Sequence, residues 1–110
     1  MTIERVSQGV TIKARTQDHK FYMTINHDEQ GKINEIFVRL DDAERFELVM
    51  VVTRLVSMAL REGVDPLVVA DELMAIHSPV TKHFIPGTDE EIASITARIG
   101  KILKDYIKEK

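Results

Sequence analysis

The residues best suited to chemistry lie in the second half of the chain. Lys82-His83-Phe84-Ile85-Pro86-Gly87-Thr88 sets a cation, an imidazole and an aromatic ring just ahead of a predicted helix. A helix N-terminus presents N–H groups without intrahelical partners, which suits a phosphate, and an aromatic ring can stack on a base. Packing explains the same residues more simply: Phe84 and Ile85 staple the loop to the core and Thr88 caps the helix. Further along, Arg98, Lys101, Lys104 and Lys108 share one side of the same helix. They are either solvated charge that complements the helix dipole or a wall that pairs with phosphates. Gly100 within that helix costs roughly 1 kcal/mol against alanine, which points to close approach of another backbone. Arg54 and Arg61 lie two turns apart on an earlier helix. Arginine suits bidentate phosphate recognition, whereas Glu47 is the structural partner that would occupy Arg54 instead. Tyr22, on a predicted strand, is a second ring able to stack on a base.

Reactions that need a catalytic constellation find no support. The four histidines, His19, His27, His77 and His83, fall in predicted turns and loops without zinc-ligand spacing, so surface histidines are expected and no metal site. Asp41-Asp42, Glu44 and Asp89-Glu90-Glu91 sit where helix N-termini favour negative charge. Ser7, Ser57, Ser78 and Ser94 occupy no nucleophile elbow, and the glycines form no phosphate loop. The chain has no cysteine, which removes disulfides, thiolate nucleophiles and zinc-thiolate sites. No catalytic residue and no cofactor is expected.

The elements that would position these residues divide the chain in two. Val10, Ile12 and Ala14 alternate with polar residues, as do Phe21, Met23 and Ile25, and then Ile36, Val38 and Leu40. Period two marks strands with one buried face. Polar breaks at 15–20 and 27–32, the latter with Gly31, suggest turns and a three-stranded antiparallel meander. Residues Ile3–Val6 could add a fourth, edge strand. Three helices follow. Asp41 with Glu44 forms a capping box for the first, which runs to about Arg61 and stops at Gly63. Asp65 and Pro66 open the second, which ends near Ile76. After a loop over 77–87, Thr88 and Glu91 form a second capping box, and the third helix runs from Asp89 with an apolar face of Ile92, Ile95, Ile99, Ile102, Leu103, Tyr106 and Ile107. Residues 1–110 then form one α+β domain, an antiparallel sheet of three to four strands covered by three helices in two layers.

The first helix, 41–61, is apolar in nearly every direction. Its least apolar stripe, Glu47, Val51, Arg54, Met58 and Arg61, still holds two apolar residues where solvated ones are usual. Either it is a central helix flanked by the other two, or it forms a subunit interface, most simply of a two-fold dimer. The scarcity of apolar surface on the other helices tips the expectation towards a homo-oligomer.

At 110 residues, 44% apolar and 30% charged, the chain has the make-up of an ordinary globular domain. Its net charge of −3 speaks against a binder of DNA or RNA polymers. The longest apolar run, Leu48–Val52, is far too short to span a bilayer, and Met1–Val6 lacks the apolar core of a signal peptide. No membrane partner is expected, and the expected location is cytoplasmic, in a cell or in the cytoplasm of an infected host.

Three stretches carry a family likeness: Phe21–Asn26, Gly31–Arg39 and Thr53–Pro66. With Phe84-Ile-Pro86 and Ile95–Gly100 they make the chain resemble the small TSCPD-type C-terminal domain of cobalamin-dependent (class II) ribonucleotide reductases over roughly residues 10–107. The family commonly carries a cysteine after the second helix; the corresponding residues here are His77-Ser78-Pro79. Ribonucleotide reduction needs a thiyl radical and a redox dithiol, so the resemblance implies a nucleotide-related fold in a chain that is not itself an enzyme. Three roles follow from it. The chain could be an accessory subunit that docks on a reductase large chain, or only an oligomerisation module. The favoured role is a non-catalytic binder of a small nucleotide-like anion, of the kind by which phage anti-defence proteins sequester cyclic nucleotide signals. In that role Lys82, Arg98, Lys101 and Lys104 would pair with phosphates, Phe84 or Tyr22 would stack on a base, and His83, Thr88 and Arg54 complete the expected ligand-binding residues.

Overall fold

The computed structural model describes residues 8–15, 20–77, 83–84, 91–92 and 94–109, with the backbone alone described at Gln8, His83, Phe84, Glu91 and Ile92. Strands β1 (Gln8–Arg15), β2 (Lys20–His27) and β3 (Ile33–Leu40) form an antiparallel meander in the order β1-β2-β3. The alternation sets their faces as expected. Ala14, Phe21, Met23, Ile25, Ile36, Val38 and Leu40 point into the core and are buried. The turn between β2 and β3 is organised by Asp28, whose carboxylate accepts from the N–H groups of Gln30 and Lys32, and by Gly31 at φ 83°. The expected edge strand at Ile3–Val6 lies outside the described residues.

Helix α1 (Ala43–Arg61) lies along the outer edge of β3. The hydroxyl of Ser57 makes that packing polar as well as apolar. It accepts from the N–H of Ile36 at 3.0 Å and donates to the carbonyl of Ile36 at 3.1 Å. A strand edge carries unpaired N–H and C=O groups, and here a buried serine on a helix satisfies one residue of it. The α1 face that does this is Val49, Thr53, Ser57 and Leu60, all buried. Its N-cap is Asp42, not Asp41: the Asp42 carboxylate accepts from the N–H groups of Glu44 and Arg45. Two adjacent aspartates offer the same cap chemistry, and the backbone entry angle selects the second.

Helix α2 (Pro66–Met74) begins as its sequence implies, with Asp65 accepting from the Leu67 N–H and Pro66 at the first helical position. Two-residue strands β4 (His83–Phe84) and β5 (Glu91–Ile92) pair antiparallel with each other. This overturns two expectations. His83-Phe84 is not loop, and the last helix does not start at Asp89 on a Thr88–Glu91 box, because Glu91 is paired with Phe84 in a ladder. Helix α3 runs over Ile95–Lys108, capped by Ser94, whose hydroxyl accepts from Ala97 N–H and donates to the Ile76 carbonyl.

Helices α2 and α3 pack closely. A Cβ at Gly100 would lie 2.7 Å from the Ala70 carbonyl oxygen and 2.8 Å from the Leu73 Cβ, which is the close approach that a glycine within a helix implies. Ile95, Ile99, Ile102 and Leu103 join the strand residues in one core, and α3 reaches the sheet again where the Tyr106 hydroxyl meets His27 Nε2 at 3.1 Å. His27 is buried under that contact, which corrects the expectation of a surface histidine. The two rings are tilted, with centroids 5.6 Å apart. No helix among the described residues is long and apolar enough to cross a membrane.

Candidate functional site

The expected ligand residues do not form one cluster in what the structure describes. Lys82 and Thr88 lie outside the described residues, and His83 and Phe84 are placed by backbone only, opposite Ile92 and Glu91. The helix end expected beside them begins at Ser94 instead, whose hydroxyl takes the Ala97 N–H.

On α3, Lys101 and Lys104 have carboxylate partners. Lys104 Nζ sits 2.9 Å from Asp71 Oδ1 on α2, and Lys101 Nζ 3.4 Å from Asp105 Oδ2 one turn along. Arg98 is half-buried on the same helix. Lys104 thereby clamps α3 to α2 beside the Gly100 contact. Arg54 lies elsewhere, exposed on α1, in a groove of about 460 Å³ between α1 and β3 that Phe37, Leu55, Met58 and Arg61 also line.

Tyr22 stands in a different setting. Strand register puts Lys13 and Arg39 directly beside it, in one cross-strand row over β1, β2 and β3. All three side chains point away from the core and are exposed, Tyr22 by 48%. In the next row Lys20 sits beside Arg15. On the other side Phe37, half-exposed, pairs with Thr24, whose hydroxyl lies 3.1 Å from that of Thr11. Lys13, Lys20, Tyr22 and Arg39 line a shallow basin of about 300 Å³ with Phe21, Leu40 and Asp41. Among the described residues no ion pair engages Lys13, Lys20 or Arg39.

The core-averse face of the meander thus holds four cations at one end, two rings in its middle and, at the far end, an Asn26–Glu35 pair closed on itself at 2.7 Å. Such a surface can hold a planar ring against Tyr22 while lysine and arginine pair with phosphate on either side. Its polar residues were visible in the alternation as the outward set of each strand. Their juxtaposition was not, because it depends on register.

A second local charge effect is structural. The Arg45 guanidinium hydrogen-bonded to Asp42 holds that carboxyl below its ordinary value, with loss of solvent working against it and the Arg45 and Glu44 N–H groups assisting. Among the described residues no group of three or more histidines and carboxylates is placed to hold a metal ion.

The sequence pattern of the TSCPD domain matches residues 2–107. The chain belongs to the TSCPD domain family. No curated protein and no solved structure matches it. Membership covers nearly the whole chain and marks it as a module related to ribonucleotide reductases. This TSCPD domain has no cysteine. Among the described residues, its outward sheet face and its α1 groove set charged side chains beside exposed apolar ones.

Proposed function

We propose that this TSCPD domain is a non-catalytic module that binds a nucleotide-like anion, with the Lys13–Tyr22–Arg39 row as the contact surface. The observation that carries the reading is the exposed ring of Tyr22 held between two cations that no ion pair among the described residues engages. Binding without turnover is what the side-chain chemistry supports. A cysteine-free chain has neither a thiyl radical site nor a redox dithiol. Sequestration of a cyclic nucleotide in a cytoplasm fits such a module, because holding a signal requires affinity and no reaction. Family membership favours a second reading, a regulatory or accessory subunit that docks on a reductase large chain.

Isothermal titration with ATP, dATP and a cyclic dinucleotide separates these readings. Under the first, at least one of the three binds, and the affinity falls as salt rises because exposed charge pairing is screened. Under the second, none binds the chain by itself, and a reductase large chain co-purifies with it. Lys82→Ala tests the competing location: unchanged affinity in that variant, with loss in Tyr22→Ala, assigns the ligand to the sheet face. Loss in Lys82→Ala alone assigns it to the Lys82–Thr88 segment and rejects the row.

A further inference from the structure

Helix α1 has two apolar faces and the fold uses one. Val49, Thr53, Ser57 and Leu60 face β3; on the opposite side Leu48, Val51, Leu55 and Met58 are 68%, 50%, 56% and 52% exposed. Their spacing of three, four and three residues is that of the a and d positions of a two-helix seam. An apolar line of this kind on an isolated domain marks an interaction surface.

We propose that the occupant is a second copy of this chain, with the two α1 helices antiparallel across a two-fold axis. A two-fold interface must be self-complementary, and the charges beside the seam meet that requirement. Glu47, Arg54 and Arg61 are all exposed and fall at seven-residue spacing on one flank. Set antiparallel so that Leu48 meets Met58 and Val51 meets Leu55 of the partner subunit, the flank places Glu47 opposite Arg61 of the partner subunit, twice per dimer. A parallel pair would instead set this flank beside the partner's Val52 and the partner's Ala59, which leaves Glu47 and Arg54 without an opposite charge across the seam. The antiparallel arrangement carries one unfavourable element: Arg54 faces its own copy near the axis. The proposal is independent of the ligand reading, since the seam lies on α1 and the Lys13–Tyr22–Arg39 row on the sheet.

Sedimentation equilibrium of the full chain over a concentration series is the test. The expected species at high concentration has twice the 12.6 kDa chain mass. Leu55→Glu, at an exposed position, shifts it to monomer with an unchanged circular dichroism spectrum. Glu47→Arg and Arg61→Glu each weaken the dimer about tenfold or more, and the double variant restores it, because the pair is exchanged and not removed. Arg54→Gln tightens it. A monomer at every concentration overturns the proposal. So does a dimer that Leu55→Glu leaves intact, or one in which the double charge exchange is no tighter than the single ones. Co-purification of a different protein that Leu55→Glu releases, with the pure chain monomeric, assigns the seam to that partner and rejects the second copy.

Discussion

Two cationic surfaces of this domain look alike in composition and differ in what surrounds them. On α3, Lys101 and Lys104 meet Asp105 and Asp71, and the second of these pairs ties α3 to α2 next to the contact at Gly100. On the outward face of the sheet, Lys13, Lys20 and Arg39 surround an exposed tyrosine and no ion pair among the described residues engages them. A row of lysines on a helix is therefore poor grounds for a phosphate site. Counting cations does not separate the two surfaces, whereas asking which carboxylates lie within reach does. The difference is what favours the sheet face over α3 in the proposed ligand reading.

The largest effect that would sharpen this division is on α3. Gly100→Val forces side-chain atoms against the Ala70 carbonyl and Leu73, and overpacking of that kind should cost about 3 kcal/mol, measured by urea unfolding. A valine tolerated there without loss would mean that α2 and α3 are not closely docked. Ser57→Ala follows, since it strips both partners from the Ile36 backbone; about 2 kcal/mol is expected from the same measurement. On the sheet face the balance reverses. Tyr22→Ala should leave stability almost unchanged while weakening nucleotide binding about tenfold, towards the low end of what one stacked base contributes. Lys104→Ala breaks an exposed pair and should cost less than about 1 kcal/mol in stability and nothing in affinity.

The smallest expected effect is one of pH. The Asp42 carboxyl titrates lower in the folded state than its ordinary 3.8, so its charge stabilises the fold above that value. The contribution is lost as pH falls through the lower folded value. A small melting-temperature difference between wild type and Asp42→Asn should thus be present at neutral pH and shrink in acid well below 3.8. A constant difference would assign the effect to packing and not to charge.

Much of the fold was legible from local rules. Alternation at Val10–Ala14, Phe21–Ile25 and Ile36–Leu40 set the strands and their faces, and Asp65-Pro66 marked the start of α2. What was not legible depends on partners distant in the chain. A capping pattern at Thr88 and Glu91 is indistinguishable locally from the real cap at Ser94, and only the pairing of Glu91 with Phe84 decides between them. His27 looked like a turn residue because Tyr106, which covers it, is 79 positions away. The candidate site has the same cause. Lys13, Tyr22 and Arg39 were each visible as outward strand residues, and only register makes them neighbours.

The central claim is that the ligand surface is the sheet face and not the side of α3. Titration calorimetry with ATP and with a cyclic dinucleotide, on a Lys13→Ala/Arg39→Ala double variant and on a Lys101→Ala/Lys104→Ala double variant, tests it most directly. Affinity lost in the first pair and kept in the second is the predicted result. Affinity kept in the first and lost in the second would contradict it.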